Sequence, residues 1–336
     1  MTTSLFHSTF SILPQYLPFI FFVIYNDAES LTWYKIYFVP ILTINNISKF
    51  YGAIHALDNV SFRIPKGCVF GILGPNGSGK TTLLGITLDV LKPSSGSVQL
   101  FDAAPTSDKR QQIGTLLETP NFYHYLSAER NLEIAASIKG LDHSGIDDVL
   151  KKVNLFERKT SKFSTFSLGM KQRLAIASAM LGDPDVLILD EPTNGLDPVG
   201  IAEIRNLIKQ LAKEGKTIIM ASHLLDEVEK VCTHVAILKK GKLLTAGAVN
   251  EVLLNEDIVE VGAEDLSHLR KALTSMNGYT SIKEAENLFH LYYPSGKAVL
   301  AAINKHCFEQ GVVLSHLQLK KKSLETKFLE LTNESI

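Results

Sequence analysis

Gly74-Pro75-Asn76-Gly77-Ser78-Gly79-Lys80-Thr81-Thr82 fills every position of the pattern G-x-x-x-x-G-K-[ST]. The apolar run Val69-Phe70-Gly71-Ile72-Leu73 before it reads as a buried strand, and Thr81 to Val90 after it reads as a helix. In that setting successive backbone N–H groups curl around a polyphosphate, the helix N-terminus adds partial positive charge, and Lys80 reaches the terminal phosphates. Thr81 then offers its hydroxyl to Mg²⁺.

A chain of 336 residues, 45% hydrophobic and 21% charged, buries a full α/β core and leaves room for a second small domain. The net charge of -1 and the scattered Lys and Arg residues argue against nucleic acid as an obligatory partner, and Lys320-Lys321-Lys322 is short enough to be a solvated edge. Cys68, Cys232 and Cys307 lie far apart without metal spacing, which suits reduced thiols rather than a disulfide framework.

Residues 1–40 differ from the rest, with eleven aromatic residues, no glycine and no charged residue before Asn26. Pro14 and Pro18 interrupt the apolar run, Leu17 to Tyr25 is too short to span a bilayer, and no small-residue cleavage site is evident. Two readings of this extension stay open. It is a membrane-associated tail, or it precedes the true start of a domain that begins near Ile41, where Leu42-Thr43-Ile44-Asn45-Asn46-Ile47 opens a strand.

Further along, Val186-Leu187-Ile188-Leu189-Asp190-Glu191 has the form of a buried parallel strand that delivers two carboxylates to the sheet's C-terminal edge. Asp190 is expected to hold Mg²⁺, and Glu191 to polarise the water that attacks the terminal phosphate. Ser167-Leu168-Gly169-Met170-Lys171-Gln172 starts a helix that runs to Leu181, with Ser167 as its cap and its N–H groups open to a second anion. His223 follows the apolar run Thr217-Ile218-Ile219-Met220-Ala221, at another strand end, where an imidazole can donate to a phosphate.

In this order and at this spacing the motifs resemble those of the ATP-binding subunits of ABC transporters. The resemblance covers about Ile41 to Gly247, roughly 60% of the chain. Ser167-Leu168-Gly169-Met170-Lys171 stands where the family's signature stands, Asn194-Gly195-Leu196-Asp197-Pro198 looks like its D-loop, and Ser222-His223 like its switch region. Tyr51 matches the aromatic that stacks on adenine. The resemblance implies ATP with Mg²⁺, an ATP hydrolase, and a head-to-tail dimer in which Asp197 lies near the partner's phosphate loop. It also implies a second ATP-binding subunit, identical or paralogous, and a separate transmembrane permease, with the protein peripheral on the cytoplasmic face of the membrane. Two departures stand out. Glu118 replaces the usual Gln as an expected Mg²⁺ ligand, and Leu168 and Met170 replace smaller and more polar signature residues. Together they resemble the bacitracin-export and lantibiotic-immunity branch. The rival reading is a soluble, non-transport ABC ATPase acting on a macromolecular partner. Substrate identity is not encoded in such a subunit.

The expected fold is therefore α/β: a RecA-like P-loop core with an antiparallel β subdomain and an inserted helical subdomain, plus a small C-terminal α+β appendage. The expected domains are an aromatic-rich extension at 1–40, a nucleotide-binding domain at 41–250 with its helical subdomain at about 119–183, and the appendage at 251–336. The core strands Val98-Gln99-Leu100-Phe101 and Ile113-Gly114-Thr115-Leu116 are expected in one mixed sheet. Ser127 is expected to cap a helix through Ile138, and Asp147 to Val153 to form a further turn or two. From Ile258 the appendage is read as strand, helix (Leu266 to Met276), strand, strand (Phe289 to Tyr293), helix (Gly296 to Glu309) and strand (Val312 to Leu319), followed by a terminal helix at Ser323 to Thr332.

Overall fold

A computed structural model describes residues 22–23, 34–35, 40–117, 121–253, 257–285, 287–294, 296–321, 324–325 and 327–328. Before position 40 it gives one short pairing, β1 (Phe22–Val23) against β2 (Tyr34–Lys35). Phe19, Phe21, Trp33 and Glu118 lie outside the described residues, as does most of the expected terminal helix.

Two sheets build the core, and they separate the strands at Val98 and Ile113 that were expected in one mixed sheet. β3 (Pro40–Tyr51), β4 (Ile54–Pro65) and β6 (Ser95–Leu100) form a three-stranded antiparallel sheet with β3 in the centre. β5 (Val69–Leu73), β7 (Ile113–Leu116), β8 (Val186–Asp190), β9 (Thr217–Ser222), β10 (His234–Lys239) and β11 (Lys242–Ala248) form a second sheet, in the order β11-β10-β5-β9-β8-β7. All its pairings are parallel except β10–β11. Period-two alternation is the same in β6 and β7, so only the pairing separates them. β6 folds back onto β3, with Thr43 opposite Gln99, whereas β7 lies parallel to β8.

Every residue of β5, β8 and β9 is buried, as their near-continuous apolar sequences demand of strands covered on both faces. Helices supply the cover. α1 (Lys80–Thr87), α2 (Ser107–Gln111), α6 (Pro198–Lys213), α7 (Leu225–Val231) and α8 (Val249–Leu253) belong to the core, and α6 buries Ile204, Leu207, Ile208 and Leu211, an i, i+3, i+4, i+7 stripe. Each such side chain contributes about 1.5–3 kcal/mol. Between β7 and β8 lie α3 (Ala128–Ile138), α4 (Ile146–Lys152) and α5 (Leu168–Met180). Ser127 caps α3, its hydroxyl accepting from the Arg130 N–H. Lys139 reaches across to the end of α5, donating to the Ser178 carbonyl at 2.7 Å.

α1 stops three residues before Val90. Asp89 takes φ 63°, and the N–H groups of Val90 and Leu91 both return to the Gly85 carbonyl, so the apolar run ends in a turn that lays Leu91 against Gly85. Beyond the core, β12 (Asp257–Ala263), α9 (Leu266–Thr274), β13 (Ser281–Ala285), β14 (Leu288–Tyr293), α10 (Leu300–Glu309) and β15 (Leu314–Lys321) make a β-α-β-β-α-β unit. Its antiparallel sheet runs β13-β14-β12-β15, and Val259, Val261, Phe289 and Leu291 form a separate core with Leu269, Leu273, Ile303 and Cys307. α9 ends before Met276, and α10 begins at Leu300 rather than Gly296, whose φ is 71° and whose N–H is held by Asp257 at 2.8 Å.

All three cysteines are free and buried. Burial pushes the Cys68 thiol up to about 12 and raises Cys232 and Cys307 as well, so little thiolate exists at neutral pH.

Gly114 shows how tightly α5 sits on β7. A methyl added there would overlap the Ala179 carbonyl oxygen and lie 2.7 Å from the Leu187 side chain. Gly114→Ala is expected to lower stability by about 1–3 kcal/mol, read as a lower urea midpoint. Gly247→Ala, where the added methyl meets only Glu251 at 3.6 Å and Val252 at 3.8 Å, serves as the control and should change stability by less than about 0.5 kcal/mol. Equal midpoints for the two variants would contradict this packing.

Candidate active site

The phosphate loop spans the gap between the end of β5 and the start of α1. Gly77 and Gly79 take φ 78° and 103°, a region side chains resist, and Gly79 is the N-cap of α1. A Cβ on Gly79 would come within 2.8 Å of Leu57, and one on Gly74 would overlap both the Leu238 carbonyl and the Ser78 hydroxyl. The loop is thus pressed onto β4 and β10, while Pro75, Asn76 and Gly77 remain exposed. Ser78 Oγ is buried without a hydrogen-bond partner. Thr82 is half-buried on the first turn of α1.

Lys80 is only 6% exposed. Its ammonium donates to the carbonyls of Gly74 at 2.9 Å and Pro75 at 3.4 Å and lies 3.3 Å from Glu191 Oε1. Thr81 Oγ1 donates to Asp190 Oδ2 at 2.8 Å. Asp190 ends β8, and register places it beside Ala221 of β9, whose carbonyl accepts from the Glu191 N–H at 3.0 Å. Glu191 itself has φ 48°, a left-handed backbone unusual for a side-chain-bearing residue and often found where chemistry fixes the geometry. Its second oxygen lies 2.8 Å from His223 Nδ1. Lys80, Thr81, Asp190, Glu191 and His223 are therefore gathered at one edge, contributed by the ends of β5, β8 and β9.

Ser167 and Asp197 form another corner. Ser167 Oγ accepts from the Met170 N–H at 3.3 Å, capping α5, and Asp197 Oδ1 accepts from the Gly200 N–H at 2.8 Å, capping α6. Gly169 faces Gly200, and Gly195, at φ 73°, faces Leu168. The hydrogen bonds at Ser167 and Asp197 run within this corner, and its outer surface includes the half-exposed Leu168. Neither α1 nor α5 has an acid in its first turn, as is also true of α6, α9 and α10. The positive ends of α1 and α5 are left free to meet an anion.

Tyr51 ends β3 at a tight hairpin and is about half exposed. The Lys49 ammonium sits 5.0 Å from its ring centroid and donates to the Lys92 carbonyl at 2.8 Å. Sequence reasoning missed Lys49, since a lone lysine in a strand carries no signal. It also missed Phe328, which lines a hollow with Gly74, Pro75, Asn76, His223 and Leu225.

These donors fit a nucleotide triphosphate with Mg²⁺. The glycines let the loop press onto β4 and β10 while Pro75, Asn76 and Gly77 stay exposed to a ligand, and Ser78 Oγ is an unused buried donor. Among the described residues no group of three His, Cys, Asp or Glu forms a metal cage. One hydroxyl and one carboxylate, Thr81 and Asp190, suit an ion that completes its shell with phosphate and water.

Residues 57–194 match the family model described as ABC transporter. The bacitracin transport ATP-binding protein BcrA of Bacillus licheniformis is 37% identical over 87% of this chain and 97% of its own length. The lantibiotic transport ATP-binding protein SrtF of Streptococcus pyogenes is 41% identical over 60% of this chain and 89% of its own. Among solved structures, cbiO1 of Clostridium perfringens, part of the ABC transporter complex cbiONQ, is 33% identical with a TM-score of 0.59, over 63% of this chain and 90% of that one. A loop, two strand-end acids and a capped second helix that meet the family's pattern in both sequence and space leave one conclusion: the chain belongs to the ABC transporter family, as an ATP-binding subunit that hydrolyses ATP.

Proposed function

We propose that this subunit works with Mg²⁺ as one half of a head-to-tail dimer on the cytoplasmic face of the membrane, and that ATP-driven closure of the dimer moves a separate permease exporting a drug, a peptide antibiotic or a lipid-like substrate. The placement of Glu191 carries the reading. One carboxylate is held between Lys80 at 3.3 Å and His223 at 2.8 Å, directly beside the phosphate loop. The near-complete overlap with a bacitracin transport subunit supports the substrate class.

Each residue then has a task set by its position. The loop N–H groups and Lys80 hold the β- and γ-phosphates, and Tyr51 offers a ring face to adenine. Thr81 and Asp190 are the protein's ligands to Mg²⁺, with Glu118 as a further candidate from outside the described residues. Bound there, the ion would neutralise charge on the phosphate oxygens. Glu191 orients the attacking water and accepts its proton, while His223 fixes the carboxylate and faces the γ-phosphate. Ser167, Gly169 and Asp197 of one subunit would cap the phosphates held by the other. The order of events is closure on ATP, pushing the permease, then hydrolysis to reset.

Lys80→Ala removes a preorganised cation from the site and is expected to lower ATP turnover by roughly 10²- to 10³-fold; wild-type turnover in the purified variant would refute the loop's role. Glu191→Gln keeps shape and the Mg²⁺ ligands but loses the base. With ATP and Mg²⁺ it should elute from size-exclusion chromatography as a dimer, and a monomer with bound ATP would overturn the sandwich. Glu118→Gln should retain hydrolysis while shifting its Mg²⁺ titration, and an unmoved titration would remove Glu118 from the metal's shell.

A further inference from the structure

After β15 the chain leaves the appendage and returns to the ATPase core. Leu324 is fully buried in the same hydrophobic cluster as Val69, Leu73 and Val228. Its N–H donates to Glu229 Oε2 of α7 at 2.8 Å. The backbone is helical at 324–325 and 327–328, so Phe328, four residues on, shares a face with Leu324. Leu225 and Glu229 are likewise four apart on α7. The two faces meet: Glu229 anchors the first turn of the tail, and Leu225 lies beside Phe328. Phe328 packs against the core cluster and closes one side of a hollow of about 300 Å³ whose other walls are Gly74, Pro75, Asn76, His223 and Leu225.

An aromatic ring from the last residues described thus stands across a small hollow from the exposed shoulder of the phosphate loop and from His223. A head-to-tail dimer needs that shoulder bare, because the second copy must exclude water from the loop and from His223 when it closes. A second copy seated on the shoulder would have to fill that hollow and displace its Phe328 wall. We propose that Phe328 is an autoinhibitory contact, competing with the second ATP-binding subunit for the shoulder formed by Gly74, Pro75, Asn76 and His223. Through it the appendage sets the ATP concentration at which the dimer closes. This inference rests on the sandwich reading above.

The test uses the full chain carrying Glu191→Gln, so that closed dimers persist, and compares it with the same chain carrying in addition Phe328→Ala or Glu229→Ala. The first change removes the ring from a half-buried surface position, and the second removes only the tail's anchor. Dimer formation is followed by light scattering against ATP concentration at fixed Mg²⁺. Both variants should dimerise at lower ATP, by about threefold to tenfold for Phe328→Ala, the shift expected for uncovering part of a phenyl side chain. Equal midpoints, with dimers formed by all three proteins, would overturn the autoinhibitory contact and leave the sandwich standing. Higher midpoints in the variants would overturn it too, by showing that Phe328 helps build the closed site. Monomers throughout at saturating ATP would overturn the sandwich and the contact with it.

Discussion

A buried ammonium must be compensated where it sits, and the compensation of Lys80 organises this site. With 6% of its surface exposed, the side chain cannot rely on water. Two loop carbonyls and Glu191 take that place. Glu191 in turn meets His223, so a chain of charge and hydrogen bonding crosses the ends of three neighbouring strands, β5, β9 and β8. That chain exists only in the observed sheet order. Slipping any of these strands by one residue would swap its faces and separate the groups.

The sheet also explains the division of labour between the two acids. Asp190 is the last residue of β8, still buried and committed to Thr81 across the loop. Glu191 takes a left-handed turn one residue later and lies beyond the strand, 22% exposed, where a water molecule can reach it. Adjacent carboxylates thus face different partners: one a hydroxyl on the phosphate helix, the other an ammonium and an imidazole.

The site was legible in the sequence to an unusual degree, and the reason is local. The phosphate loop is a continuous stretch, and β5, β8 and β9 announce themselves as apolar runs because a strand buried on both faces leaves no room for polar residues. Glu191 and His223 follow such runs, so their position at a common edge followed from the strands. What was not legible depends on pairing. β6 and β7 have the same alternation and part company only through their partners. The ends of α1 and α10 depend on Asp89 and Gly296, whose positive φ angles no pattern in the flanking residues demands. Phe328 comes near the loop across some 250 positions of chain, a separation over which neither pattern nor propensity carries information.

Topology accounts for how the tail can make that journey. In the appendage's sheet the first and last strands are neighbours, β12 beside β15, and Asp257 lies directly opposite Lys321. The chain therefore re-emerges about 5 Å from the point at which it entered. Only a few residues separate Lys321 from Leu324, so little conformational entropy opposes closing the segment back onto α7. With β12 and β15 apart in the sheet, β15 would end farther from the core and the tail would need a longer, costlier linker to reach the same groove. By returning its end to its beginning, the β-α-β-β-α-β unit brings an aromatic side chain to a hollow beside the phosphate loop. A movement of that sheet relative to α7 would be felt first at Leu324, which cannot leave the core without exposing an entire leucine side chain, and then at Phe328.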